Sequence, residues 1–182
     1  NVSDPAGTVD AVGGNVTLVN VSGNVGTTRW AGFYGEVSAG YVLGDSSGNS
    51  FYEWTVTNVT DAVVYACTGS VSNWTLLAAN DSIMPSYLRV DSPDNWNNTF
   101  TLSEEFSIDT ITVPGAPYTT TWQTGSQGAL KTYSLAEDDG DQIFAGKAIS
   151  DADGFNTDTV DYQILAPADE TGQQYNFYLQ LP

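Results

Sequence analysis

Histidine is absent from this 182-residue chain, and with it go the commonest general base and the commonest metal ligand of proteins. Ser-His-Asp and Cys-His catalysis and histidine-ligated zinc are excluded together. Cysteine is nearly absent: Cys67 alone cannot close an intrachain disulfide, so stability must come from packing. It ends the run Ala62-Val63-Val64-Tyr65-Ala66-Cys67, which reads as a strand. A small buried apolar side chain is expected there, the alternative being a bridge between two subunits. Basic residues are few. Arg29, Arg89, Lys131 and Lys147 stand against 22 acidic residues, a net charge of −18. Such a surface repels phosphates and anionic lipid, so neither nucleic acid nor a polybasic type of membrane contact is expected as a partner. It attracts cations, and association between copies of the chain must work against the repulsion, which salt or divalent ions screen. No apolar run approaches the roughly 18–20 residues that span a bilayer, and no membrane insertion is expected. The chain opens at Asn1-Val2-Ser3 with neither an initiator methionine nor a basic leader, and reads as a mature, processed product.

Catalytic constellations are missing too. Glu104 and Glu105 are adjacent, so on a strand they face opposite sides, unlike a glycosidase pair held about 5–9 Å apart across one cleft; Asp109 is the only third carboxylate nearby. There is no Gly-rich phosphate loop, nucleophile elbow or haem attachment motif, and an enzyme is not expected.

What is present is strand after strand. Runs rich in Val, Thr, Tyr, Phe or Trp occur at 15–22, 27–34, 37–43, 50–57, 62–67, 73–79, 98–103, 107–113, 130–135, 141–149, 160–165 and 174–181. Gly44-Asp45-Ser46-Ser47-Gly48-Asn49 and Asp138-Asp139-Gly140-Asp141 read as hairpin loops. The stretch 80–97, with Pro85, Pro93 and no clear period, reads as a long connection. Many short strands separated by turns predict an all-β fold, a two-sheet antiparallel β-sandwich of immunoglobulin-like or jelly-roll-like type, with room for a strand from a neighbouring subunit. A chain of this length buries about 70% of its unfolded surface, enough for one core. Residues 1–22 are assigned as an N-terminal leader and candidate donor strand, and 23–182 as a single sandwich domain. Val16, Leu18, Val19 and Val21 carry the apolar content of the donor; Tyr175, Phe177, Leu179 and Leu181 alternate in the same way at the other end.

The strongest functional signal is the sequon count. Asn-X-Ser/Thr occurs at Asn1, Asn15, Asn20, Asn58, Asn73, Asn80 and Asn97, seven times, where 13 Asn in this composition would give about two or three by chance. N-linked glycans and an extracellular or cell-surface location follow as expectations, with the asparagines facing solvent. An acidic stretch offers a second signal. Asp151, Asp153, Asn156, Asp158 and Asp161 place oxygens at intervals in a Gly-containing loop, the kind of ligand calcium takes, although Gly154 falls at the fourth position rather than the sixth and Tyr162 stands where an EF-hand loop has Glu. Glu137, Asp138, Asp139 and Asp141 form a second acidic cluster. A plain solvated turn is the simpler reading. The aromatic set Trp30, Phe33, Tyr34, Tyr41, Phe51, Tyr52 and Trp54 is expected as core rather than as a sugar-stacking platform.

The block Gly14-Asn15-Val16-Thr17-Leu18-Val19-Asn20-Val21-Ser22, then Arg29-Trp30-Ala31-Gly32-Phe33-Tyr34-Gly35-Glu36-Val37-Ser38, Val42-Leu43-Gly44-Asp45 and Phe51-Tyr52-Glu53-Trp54, resembles a recurring pattern of archaeal secreted surface proteins. So does Phe155-Asn156-Thr157-Asp158-Thr159-Val160-Asp161-Tyr162-Gln163-Ile164-Leu165-Ala166-Pro167. The resemblance implies location and fold class and no reaction. The leading expectation is a glycosylated structural subunit of an extracellular filament, pilus-like thread or surface sheath, a homo-polymer in which one subunit's terminal strand completes the sheet of the next. The alternative is a carbohydrate- or protein-binding β-sandwich assisted by calcium.

Overall fold

In a computed structural model, residues 12–13, 18–45, 47–56, 58–71, 74–138, 140–168 and 173–181 are described. They are predominantly β. In chain order the strands are β1 (Val12–Gly13), β2 (Leu18–Val19), β3 (Ser22–Gly26), β4 (Trp30–Gly35), β5 (Val37–Gly44), β6 (Ser50–Val56), β7 (Val63–Cys67) and β8 (Leu76–Ala78). A 3-10 turn (Asp81–Ile83) and two single-turn helices, α1 (Ser86–Arg89) and α2 (Trp96–Thr99), follow. The remaining strands are β9 (Leu102–Ile108), β10 (Ile111–Gln123), β11 (Ser126–Glu137), β12 (Gln142–Lys147), β13 (Ala152–Asp153), β14 (Thr159–Val160), β15 (Tyr162–Pro167) and β16 (Asn176–Gln180).

The compact units fall differently from a leader at 1–22 and a domain at 23–182. One contains the described residues up to Leu18 with Ser38–Asn58, the other those of Val19–Val37 with Val59–Pro182. In the first, β5 is flanked by β1 and by β6, both antiparallel. The β5–β6 loop closes as expected: the Asp45 carboxylate accepts from the Ser47 and Asn49 amides at 3.0 and 2.9 Å.

The second unit is the sandwich. Its larger sheet runs β16-β7-β12-β11-β10-β9, with β8 also on β11, and its smaller sheet runs β15-β4-β3; every pairing is antiparallel. All of β7 is buried, because alternate side chains of a central strand go to two covered faces. On one face Val63, Tyr65 and Cys67 join Tyr133, Leu135, Ile143 and Ala145, and β9 and β10 bring Phe106, Ile108 and Val113 to the same cluster. Each large side chain so buried contributes roughly 1.5–3 kcal/mol. Cys67 is 1% exposed, and burial, with Glu137 and Asp141 adding to it, pushes its thiol pKa up to about 12, so it sits protonated among apolar neighbours.

β15 packs against β11 and β12 on the other face. Gly146 on β12 sets how close it comes: a Cβ there would stand 2.7 Å from Ile164 Cγ1. The edge of β15 is tied down by a buried hydroxyl, since Thr132 donates to the Gln163 carbonyl at 3.3 Å and accepts from the Leu165 amide at 3.0 Å. Tyr162, also buried, donates to the Asn20 carbonyl at 2.8 Å. The stretch read as a long connection covers part of this face: Trp96 Nε1 donates to Ser134 Oγ at 3.0 Å, and Phe100 packs on Trp96 and Phe144.

Boundaries differ from expectation in several places, three of them with a clear local cause. The strand expected at 98–103 begins at Leu102, after α2, whose start is capped by the Asn95 carboxamide accepting from the Asn98 amide. The run 107–113 is cut by a turn at Asp109, whose φ is 48°. Residues 114–129, rich in breakers, are instead mostly strand. Pro114 and Pro117 are tolerated because β10 pairs with β11 only from Tyr118 onward and its ladder with β9 shifts register between Val113 and Ala116.

Candidate functional site

Beyond Tyr118, the hairpin of β10 and β11 passes the outer face of the smaller sheet and leaves a cleft of about 440 Å³. Tyr34 from β4 forms one wall, with Gln163 and Leu165 from β15 beside it; Thr119, Thr121, Trp122 and Gln127 line the hairpin side, and Asn98, Thr99 and Phe155 complete the rim. The register explains the sharing of one face. Tyr34 pairs with Gln163 and Gly32 with Leu165, so by strand alternation these four look outward while Phe33 and Ile164 look into the sandwich.

Gln163 holds the walls together. It is 4% exposed; its Nε2 donates to Thr121 Oγ1 at 3.0 Å and to the Trp122 carbonyl at 2.7 Å, and its Oε1 accepts from the Phe155 amide at 2.9 Å. One amide thereby fixes both aromatic rims. The tip of the hairpin is anchored as well, Thr124 N donating to the Gly154 carbonyl at 2.9 Å. Gly154 must be glycine, because a Cβ would stand 2.8 Å from the Asp158 carbonyl in the turn that presents Phe155. Phe155 then meets Tyr34 edge to face, with centroids 4.9 Å apart. Trp122 remains 59% exposed and Phe155 36%.

None of the side chains lining the cleft is charged, in a chain carrying 22 acids. Flat rings with amides and hydroxyls at their margin offer stacking faces and hydrogen bonds to a neutral polar ligand and give an ion no partner.

The residues named for calcium are placed as follows. Asp161 is buried, and its carboxylate accepts from the Val37 amide at 2.7 Å and the Asp151 amide at 2.9 Å, so both oxygens serve the backbone. Asp153 is exposed on β13, and Asn156 and Asp158 bond each other in the exposed turn that carries Phe155. Among the described residues no group of three or more acidic or cysteine side chains converges as a metal would require. Of the second cluster Glu137 is buried, Asp138 and Asp141 are exposed, and Asp139 lies outside the described residues.

Of the sequon asparagines, Asn20, Asn58, Asn80 and Asn97 are exposed, while Asn1, Asn15 and Asn73 lie outside the described residues. Of the donor segment, Val16 lies outside them, Leu18 and Val19 form β2, and Val19 and Val21 are half-buried. The aromatic set expected as core divides. Trp30 is buried, Phe33 and Tyr34 are half-buried, and Phe51, Tyr52 and Trp54 are 83%, 56% and 50% exposed. Sequence reading missed Trp122 and Phe155 because the first lies between the strands expected at 107–113 and 130–135, in a stretch assigned no element, and the second inside an acidic loop.

Comparison with protein-family models, with curated proteins and with solved structures found no match.

Proposed function

We propose that this chain is an extracellular glycoprotein domain whose cleft binds a neutral saccharide. The observation that carries it is the lining: Tyr34, Trp122 and Phe155 around Gln163, Gln127 and Asn98, without a charge. Sugar rings present C–H faces to aromatic rings and hydroxyls to carboxamides, and the locked Gln163 provides preorganisation. Trp122, half open to solvent, doubles as the reporter. Titration of its fluorescence with a panel of neutral oligosaccharides should give saturable binding, which calorimetry reproduces in the parent and finds abolished in Trp122→Ala. Binding that is absent across the panel, or unchanged in Trp122→Ala, overturns the proposal. The titration is run with calcium and with a chelator; since Asp161 already serves two backbone amides, the two arms should agree.

A separate observation favours the building-block reading, a subunit of an extracellular filament, thread or sheath. Among the described residues β6 pairs with β5 alone, and this outer strand shows Phe51, Tyr52 and Trp54 to solvent. An edge strand with exposed rings is a template for pairing with another chain. Within residues 1–22, β1 pairs with β5 of the same chain, and β2, which holds Leu18 and Val19, neighbours β5 too, so β6 is the better candidate for the contact. Replacing Phe51 and Trp54 by Lys should disperse assemblies seen by negative-stain microscopy; assemblies that persist unchanged count against β6.

A further inference from the structure

The saccharide proposed for the cleft has a source on the chain itself. The sequon Asn97-Asn98-Thr99 lies on α2, and its second and third residues, Asn98 and Thr99, line the cleft. Asn97 directly precedes them on α2 and is exposed, its Nδ2 donating to Asp81 Oδ1 at 3.0 Å. A primary carboxamide has two N–H bonds. Glycosylation replaces one of them: Nδ2 bonds to the anomeric carbon of a sugar delivered by an activated glycosyl phosphate donor, the phosphate leaves, and the amide gives up a proton. The other N–H stays for Asp81, so the attachment point keeps its orientation.

That point is rigidly placed. Trp96 is buried and bonded to Ser134, the Asn95 side chain accepts from the Asn98 amide at 2.8 Å, and Asn98 Nδ2 donates to the Ser92 carbonyl at 2.9 Å. We propose that the N-linked glycan at Asn97 occupies the cleft of its own chain, an inference that rests on the saccharide-binding reading above. The physical reason is tethering. A ligand attached one residue from its site is present at an effective concentration on the order of millimolar or above, so contacts that hold a free sugar only at sub-millimolar concentrations are saturated by the tethered one. The bound glycan covers Trp122 and Phe155, and a free saccharide must compete with it.

The test uses the full chain from a glycosylating host in three forms: the parent, Asn97→Gln and, as control, Asn80→Gln. The probe is the neutral oligosaccharide released from the protein's own material, titrated against tryptophan fluorescence. Asn97→Gln should bind it about ten-fold more tightly than the parent or Asn80→Gln, the factor expected when the tethered competitor's effective concentration is about ten times its own dissociation constant. Trimming the parent to a single sugar with an endoglycosidase should give the same gain without any substitution. Equal binding by the parent, the trimmed parent and Asn97→Gln overturns cis occupancy and leaves the cleft reading standing. An intact mass showing Asn97 unmodified, or a charged glycan there, also overturns it. Failure of every form to bind overturns the cleft reading itself.

Discussion

Tyr65, Phe106 and Tyr133 on the large sheet and Tyr34, Trp122 and Phe155 at the cleft are two aromatic groups of similar size with opposite fates. In the first, rings meet edge to face, Phe106 with Tyr133 at 5.1 Å and with Tyr65 at 6.4 Å, and all three lie within a closed cluster. Each hydroxyl is satisfied at the margin, Tyr65 donating to Gln180 Oε1 at 2.8 Å and Tyr133 to Glu104. Burial raises the pKa of both phenols, with Cys67 adding to it at Tyr65 and Glu104 at Tyr133. At the cleft only Tyr34 and Phe155 touch, and the polar groups between the rings serve the walls. The first group is closed by the chain; the second stays partly open to solvent. What separates them is whether another strand crosses the face, as β9 and β10 cross the first.

The comparison breaks most visibly in the core. Phe106→Ala should destabilise the domain by about 3–5 kcal/mol, measured by urea unfolding, because it opens a cavity beneath two tyrosines. A loss near zero would mean that the cluster is not closed as described. Asp161→Ala comes next, removing the acceptor of the Val37 and Asp151 amides for a loss of about 1–3 kcal/mol. Its saccharide binding should persist below the melting temperature, since Asp161 does not line the cleft.

Glu104 offers a smaller effect with a definite sign. Desolvation raises its carboxyl pKa, but hydrogen bonds from Lys131 at 2.6 Å and from Tyr133, with the charges of Lys131 and Lys147, outweigh it and hold the group below the ordinary glutamate value of 4.5. A depressed folded-state pKa contributes stability that is present above 4.5 and lost as pH falls through the folded value. Glu104→Gln should therefore flatten the acid limb of a stability–pH curve relative to the parent; identical slopes would place the carboxylate outside the network. The smallest change in stability belongs to Trp122→Ala, within about 0.5 kcal/mol, paired with loss of saccharide binding. A large destabilisation there would move Trp122 into the first aromatic group and remove the contrast.

How much of this was legible beforehand follows the same division. The run Val63-Val64-Tyr65-Ala66-Cys67 announces a buried central strand by composition alone, and Asp45 announces its hairpin, because both are local consequences of side-chain chemistry. β10 was illegible past Val113. Whether Pro114 or Pro117 ends a strand depends on what lies along each edge, which only the fold decides. Phe51, Tyr52 and Trp54 carried a core pattern and stand exposed, for alternation identifies a face without saying what covers it. Gln163 stands in a block quoted only for its resemblance, and nothing local marked it as a site residue. Its weight comes from meeting Thr121, Trp122 and Phe155, positions 8 to 42 residues away in sequence.

The uncharged lining of the cleft also fixes how the molecule would answer to salt. The Debye length shrinks from about 10 Å at 0.1 M to about 3 Å at 1 M, which reshapes every contact between two strongly acidic surfaces. A grip built from ring faces and carboxamides has no Coulomb term for ions to erase. In brine or in fresh water the sugar affinity should hold level while the tendency of copies to gather rises steeply, so that a single salt series pulls recognition and assembly apart.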